Sequence, residues 1–261
     1  MMRRGFSLVG MLMTLICIGV LLAIALPALQ QGMTGMKEGG GKAAVSGWGL
    51  QDQVNLYGLM QTLNVQALGS NEGFPQPSVI SGSRDISEDT TANLYSYLVM
   101  QRYIQPSQLV SRSDVVWVEP DEDYDWSAYD PRGGVYWDPS FSADLSDISN
   151  VSYAHMPLYG DRLRDRWGKL SSSFPMFGNR GPEDGIESME SNACFDGFWG
   201  GYVTFGDGHV EFFDSPDSFR RSLDGGGADG LFSVDDEDRH ADAILGFTYR
   251  MDRGGPVLQW D

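Results

Sequence analysis

The most apolar part of the chain is its N-terminal stretch, where residues 6–29 carry no charged side chain. Arg3 and Arg4 precede this stretch, and the next charged residue along the chain is Lys37. A helix that crosses the hydrocarbon core of a bilayer needs about 20 apolar residues, so we expect residues 6–29 to form a transmembrane helix. Because basic flanking residues stay on the cytoplasmic side of a membrane, the rest of the chain is expected to lie outside the cytoplasm.

Beyond the apolar run, the spacing of apolar residues predicts that the helix continues to about Ala67. Three consecutive glycines at 39–41 interrupt it, and each glycine costs a helix about 1 kcal/mol relative to alanine, so a hinge is expected there. From Lys42 onward a helical apolar period returns. We expect this apolar stripe to pack on the globular domain: Leu50, Val54, Leu56, Tyr57, Leu59, Met60 and Leu63.

The distal part of the chain shows shorter patterns. A second helix is predicted over 91–104, where apolar residues share one face and Pro106 follows as a stop. The apolar run at 115–118 predicts a short buried strand. Residues 119–180 are rich in turn-forming residues and are expected to be irregular. The whole pattern predicts an α+β fold class, in which a long N-terminal transmembrane helix precedes an antiparallel β-sheet domain with long loops.

The clearest hairpin signal lies at 202–212, where apolar and polar residues alternate on both sides of Asp207 and Gly208. Asp-Gly is a favoured pair for a tight type I′ turn, which needs positive φ at both central residues. His209 follows this pair, and we expect it to flank the turn as a structural polar residue.

The charge balance is strongly acidic, with 18 Lys and Arg against 36 Asp and Glu and a formal net charge of −18. Such a surface repels phosphate backbones, which argues against nucleic-acid binding. The sequence contains no Gly-x-Ser-x-Gly elbow, no His-Glu-x-x-His pair and no phosphate-binding loop, and we therefore expect a protein that is not an enzyme.

A distinctive set of residues marks the start of the apolar run: Arg3, Arg4, Gly5, Phe6, Ser7, Leu8, Val9 and, later, Leu26 and Pro27. This N-terminus closely resembles that of type IV pilins and type II secretion pseudopilins. The resemblance implies that a prepilin peptidase cleaves between Gly5 and Phe6 and methylates the new amine. It also implies that Phe6, Leu8, Gly10 and Pro27 lie on the helix that packs against neighbouring subunits. An ordinary signal peptide or an uncleaved anchor is the alternative interpretation.

The resemblance implies a pilin-like α+β fold with four segments: a leader at 1–5, a transmembrane and assembly helix at 6–29, its continuation with a hinge at 30–70, and a globular domain at 71–261. Its partners would be other pilin or pseudopilin subunits, the prepilin peptidase and the inner membrane. The chain is then expected to be a single-pass protein of the bacterial inner membrane. Its C-terminal domain would lie in the periplasm, or outside the cell as part of a filament.

Gly10 departs from the family pattern, which has Glu as the fifth residue of the mature chain. A carboxylate at this depth costs about 2.5–3.5 kcal/mol on insertion scales, and in the family it pairs with the N-terminal amine of a neighbouring subunit. The family's exception is the minor pseudopilin at the filament tip, which has no subunit above it. Gly10 therefore favours a minor, tip-located subunit, and the alternative is a lineage that tolerates the loss elsewhere in the filament.

The hairpin residues carry a second resemblance: Phe205, Asp207, Gly208, His209, Val210 and Phe212. They are similar to the C-terminal hairpin of large pilin-like proteins of planctomycete-type bacteria, in which a His precedes an Asp-Gly pair by a fixed spacer. That upstream His is absent here, because Gly197, Phe198 and Trp199 stand where it would fall.

Acidic residues in glycine-rich segments are the candidate metal ligands. Calcium takes six to eight oxygen ligands, which flexible acidic loops can supply, and pseudopilins often hold a structural calcium in a C-terminal loop. We expect such a site, if the chain has one, at the following residues: Asp224, Asp229, Asp235 and Asp236. A solvated acidic loop is the alternative.

The interpretation that the sequence favours is a structural subunit of a type II secretion pseudopilus or of a type IV pilus-like filament. The rival interpretation is an envelope-anchored carbohydrate-binding or hydrolytic domain, in which residues 6–29 serve as an ordinary anchor. The aromatic content of 12% keeps this rival open, because exposed aromatic side chains can form a partner surface.

Overall fold

The computed structural model describes ten parts of the chain: 47–69, 73–112, 114, 118–182, 194–195, 198–216, 219, 230–232, 245–252 and 254–260. All of them lie in one compact unit, which spans residues 41–261. Helices combine with antiparallel strands in this unit, so the α+β class predicted from the sequence is confirmed.

The first described element is helix α1, Gly47–Gly69, which matches the helix predicted to reach about Ala67. Its buried face carries apolar residues at helical spacing: Leu56, Leu59, Met60 and Leu63. This face packs on the central sheet, against the strands that hold Phe177 and Val203. The prediction was wrong for three residues of the expected stripe, because Leu50, Val54 and Tyr57 lie on the opposite, exposed face.

The sheet consists of four antiparallel strands in the order β1-β2-β5-β6. Every residue of β2 and of β5 is buried, which is expected of central strands covered on both faces. The bounds of the strands are as follows: β1 Tyr153–His155, β2 Pro175–Asn179, β3 Cys194–Phe195, β4 Phe198–Trp199, β5 Gly201–Phe205, β6 Val210–Phe213, β7 Phe247–Asp252 and β8 Gly255–Gln259.

Two further antiparallel pairs, β3 with β4 and β7 with β8, accompany the sheet. The β7–β8 pair lies next to β1, because His155 and Gly246 form an antiparallel bridge. Strands β1 and β2 fall in the region 119–180 that the sequence predicts to be irregular, so that prediction was wrong there. Strand β1 has three residues and β2 has five. Strand β2 also contains a proline and a glycine, which are uncommon inside strands and weaken the sequence signal.

Two further α-helices follow α1: α2, Pro77–Ile80, and α3, Thr91–Met100. Helix α3 begins where predicted, with the Thr90 side chain accepting a hydrogen bond from the Asn93 backbone N–H. It ends four residues before the predicted end at 104, because Arg102 adopts a left-handed φ of 59°. In the strand predicted at 115–118, only Val118 lies within the described residues, and it forms a parallel bridge with Ser149.

Candidate assembly surface on helix α1

A buried polar cluster fixes which face of α1 points inward. The Asp52 carboxylate is fully buried and accepts hydrogen bonds from the Tyr153 hydroxyl at 2.9 Å, the Ser111 hydroxyl at 2.8 Å and the Asn179 amide at 3.2 Å. Asn55, one turn further along α1, donates to the Tyr153 hydroxyl at 3.0 Å. Three distant segments therefore hold one helix face, and rotation of α1 would leave these polar groups buried without partners.

The protonation of Tyr153 suits its role in this cluster. Burial, and next the nearby charge of Asp52, raise the pKa of the Tyr153 hydroxyl well above its ordinary value. The hydroxyl therefore stays neutral and donates a hydrogen bond to the carboxylate. An ion pair between Arg180 and Asp114, with 2.6 Å between the atoms, is also almost completely buried. The Asp52 cluster makes the packing of α1 specific rather than merely apolar.

The opposite face of α1 presents large apolar side chains to solvent. The members of this outer stripe are separated by steps of three, four or eight residues, which place them along one side of the helix: Leu50, Val54, Tyr57, Val65 and Leu68. Exposure rises to 64% for Val65 and 89% for Leu68. Asp52 is the one charged residue between Lys42 and Glu72, and it points inward. The outer stripe is therefore an uncharged apolar surface on a strongly acidic protein.

The predicted hairpin forms between β5 and β6, and its turn differs from the predicted type. Gly208 has a φ of 91° and donates its backbone N–H to the Phe205 carbonyl at 2.8 Å. The Phe205 N–H bonds the His209 carbonyl at 3.0 Å. Among the described residues of the turn, positive φ occurs at Gly208 and not at Asp207, whereas a type I′ turn needs it at both central residues. Because Phe205 pairs with His209, the loop has three residues instead of two.

His209 is held in place by its neighbours in the turn. Its Nδ1 lies 2.5 Å from Asp207 Oδ1, and its ring stacks on Phe205 with 4.3 Å between centroids and 2° between planes. Partial burial acts to raise the pKa of Asp207, but hydrogen bonds from the His209 side chain and backbone outweigh it and hold that pKa below its ordinary value. The ionised carboxylate thus accepts from His209 and orders the tip of the hairpin.

A groove separates the hairpin tip from the exposed face of α1. Its volume is about 360 Å³. We call it the hairpin-tip groove, and these residues line it: Gln53, Val54, Tyr57, Gly208, His209 and Val210. Val54 and Tyr57 belong to both the groove and the outer stripe, so the two features form one continuous surface. The structure brings Gly208 and His209 to this surface, with Asp207 bonded to His209, although the sequence assigned these residues only a turn.

Several predicted sites lie outside the described residues. These are the processing and assembly residues Gly5, Phe6, Leu8, Gly10 and Pro27, and the calcium candidates Asp224, Asp229, Asp235 and Asp236. Within the described part of the chain, no group of three or more His, Cys, Asp or Glu side chains is placed to hold a metal ion. Among the described helices, none has both the length and the apolar character needed to cross a membrane.

Comparison of the chain with protein-family models, with curated proteins and with solved structures finds no match. The functional assignment therefore depends on two features of the chain itself. One is the set of residues around the apolar run at 6–29, and the other is the outer stripe of α1. Sequence reasoning missed the outer stripe, and the signal that could have revealed it is the lack of exposed charge between Lys42 and Glu72.

Proposed function

We propose that this chain is a structural subunit of a type II secretion pseudopilus or of a type IV pilus-like filament. Residues 6–29 would hold the precursor in the bacterial inner membrane until assembly, and the domain that contains α1 would lie outside the cytoplasm. The observation that carries the proposal is the outer stripe, because it gives the folded domain an apolar helix face suited to contact with other subunits. The N-terminal residues that resemble a prepilin junction support the same assignment.

The energetics favour association through this face. Burying one exposed Val, Leu or aromatic side chain contributes about 1.5–3 kcal/mol, and the outer stripe offers five such side chains on one helix. Copies of a chain with net charge −18 repel one another in general. The uncharged α1 face lets subunits approach without placing carboxylates opposite one another, which would cost energy in a desolvated contact.

The exposure of both ends of the outer stripe indicates where in the filament the subunit could lie. Leu50 lies near the start of α1 and Leu68 near its end, and both are exposed. A subunit confined to the tip has neighbours on one side, whereas apolar contacts along the whole helix suit a subunit with neighbours on both sides. The stripe therefore favours the repeating part of the filament, whereas Gly10, which stands where the family has Glu, favours a minor subunit at the tip.

A single charged substitution tests the proposal. Val54→Glu places a carboxylate in the middle of the outer stripe, and Leu170→Glu is the matched control at an apolar residue that is exposed elsewhere in the domain. We expect Val54→Glu to lower the amount of the full-length chain in sheared filament fractions at least tenfold, a change equal to about 1.4 kcal/mol. Leu170→Glu is expected to assemble like the unaltered chain. Equal recovery of both variants, with both folded by circular dichroism, would contradict the proposal.

A further inference from the structure

The hairpin-tip groove and the most exposed end of α1 lie on the same side of the same helix. Eleven residues separate Val54 from Val65, and eleven separate Tyr57 from Leu68. Eleven residues make about three helical turns and advance the helix by about 16 Å. A copy displaced by this distance along α1, and turned so that its outer stripe faces that of the first copy, would therefore bring its own Val65 and Leu68 opposite the groove residues Val54 and Tyr57 of the first copy.

We propose that the hairpin-tip groove of one copy receives Val65 and Leu68 of a second copy of this chain. This contact rests on the proposed function, because it makes the groove a subunit contact of the same filament. The groove lies between two fixed elements: α1, which the Asp52 cluster holds on the sheet, and the hairpin tip, which the stacked His209 and Phe205 order. It is thus a preformed receptor for apolar side chains.

The charge of the groove is compatible with a second copy as its occupant. The residues that line the groove include no lysine or arginine, and the ionised Asp207 stands beside His209 at its edge. An anionic ligand or an acidic segment would therefore be repelled. The chain as a whole carries a net charge of −18, yet the segment with Val65 and Leu68 has no charged residue from 53 to 71, so this segment of a second copy can enter.

The contact is heterologous, since the groove of one copy meets Val65 and Leu68 of the next copy, which are different residues of the same continuous helix face. Every added copy leaves one groove and one projecting end available, so the contact does not close on itself unless a ring forms. Contacts of this kind generate open helical filaments. A two-fold symmetric pairing of α1 helices would instead stop at dimers.

Disulfide trapping tests the contact between the groove of one copy and Val65 and Leu68 of the next. It uses the full-length chain, expressed in the inner membrane of its natural host. Cys17→Ser and Cys194→Ser remove the native thiols, and Tyr57→Cys is combined with Leu68→Cys. Two cysteines bridge only when their Cα atoms approach within about 7 Å. After mild oxidation we expect a ladder of trimers and longer species on a non-reducing gel. The double variant Val54→Cys with Val65→Cys tests the same displacement with less loss of side-chain volume.

The matched control pairs Tyr57→Cys with Leu170→Cys, an exposed residue outside the outer stripe. It is expected to give at least tenfold less material above the monomer. Products that stop at dimers, or a control ladder of equal strength, would overturn the contact. If both trapped pairs give no ladder while the chain is recovered in sheared filaments, the contact fails and the proposed function stands. If the chain is missing from filaments altogether, both fail.

Discussion

His155 gives the structure a pH dependence whose size can be worked out. Its ring is fully buried, Nδ1 donates to the Met156 carbonyl at 2.7 Å, and Nε2 lies 2.9 Å from the Thr91 hydroxyl. Because a carbonyl cannot donate, the proton of the neutral ring lies on Nδ1, and Nε2 accepts from Thr91. The Thr91 oxygen in turn accepts the Thr248 N–H at 2.7 Å. Protonation of the ring would place a proton on Nε2, which could then no longer accept from Thr91, and would put a charge in a fully buried site.

Burial, only partly opposed by the hydrogen bond to Met156, lowers the pKa of His155 from 6.5 to about 4. The unfolded chain therefore binds a proton at a higher pH than the folded chain, and the stability that neutral His155 provides is complete above pH 6.5. It is lost as the pH falls from 6.5 towards 4. Each pKa unit is worth 1.36 kcal/mol, so the full loss is about 3 kcal/mol, of which about 2 kcal/mol has occurred at pH 5.

Urea unfolding of the purified full-length chain at pH 7.5 and pH 5, followed by tryptophan fluorescence, measures this loss. His155→Gln keeps an amide near the position of Nε2 but does not titrate. We expect the free energy of unfolding to fall between the two pH values by about 2 kcal/mol more in the unaltered chain than in the variant. The comparison is made within each protein, so a lower stability of the variant does not affect it. An equal fall in both proteins would refute the assignment of the low pKa to His155.

Two other predictions concern the groups that hold α1 and the hairpin. Tyr153→Phe leaves Asp52 without one of its donors and Asn55 without its acceptor, and we expect it to lower the free energy of unfolding by about 1–3 kcal/mol. Tyr103→Phe, at an exposed tyrosine, is expected to change it by less than about 0.5 kcal/mol. Gly208→Ala introduces a side chain at a φ of 91° and is expected to lower the free energy of unfolding by about 1 kcal/mol or more. At Gly58, a Cβ would meet no atom within 4 Å, so Gly58→Ala is expected to stabilise α1 by about 0.5–1 kcal/mol. Urea titrations measure all four, and an unchanged midpoint for Tyr153→Phe or for Gly208→Ala would contradict the corresponding structural role.

The α1 helix shows what the periodic spacing of apolar residues can predict and what it cannot. Its existence and approximate end follow from the spacing of apolar residues, but the helix carries two apolar stripes, and periodicity alone does not say which one faces the core. The inward face is set by Asp52, a residue type that is rarely buried unless paired. Its partner Tyr153 lies 101 residues away. The spacing of residues along the chain does not reveal a contact over this sequence distance. The prediction from spacing therefore assigned Leu50, Val54 and Tyr57 to the wrong face.

The end of α3 was missed for a different reason. The Tyr103 N–H bonds the Leu98 carbonyl at 3.1 Å and the Arg102 N–H bonds the Val99 carbonyl at 2.8 Å, which is the hydrogen-bond pattern of a Schellman motif. This motif usually has glycine at the left-handed position, whereas here it has Arg102 with a φ of 59°. The hairpin, by contrast, was predictable because alternation and Asp-Gly are both local signals.

The measurement that tests the central claim most directly is the mass of the N-terminal peptide of the full-length chain extracted from its membrane. The filament assignment predicts that this peptide begins at Phe6 with one methyl group on its amine. A chain that keeps Met1, or one that begins near Leu26, would contradict prepilin processing and remove the N-terminal support for a filament subunit.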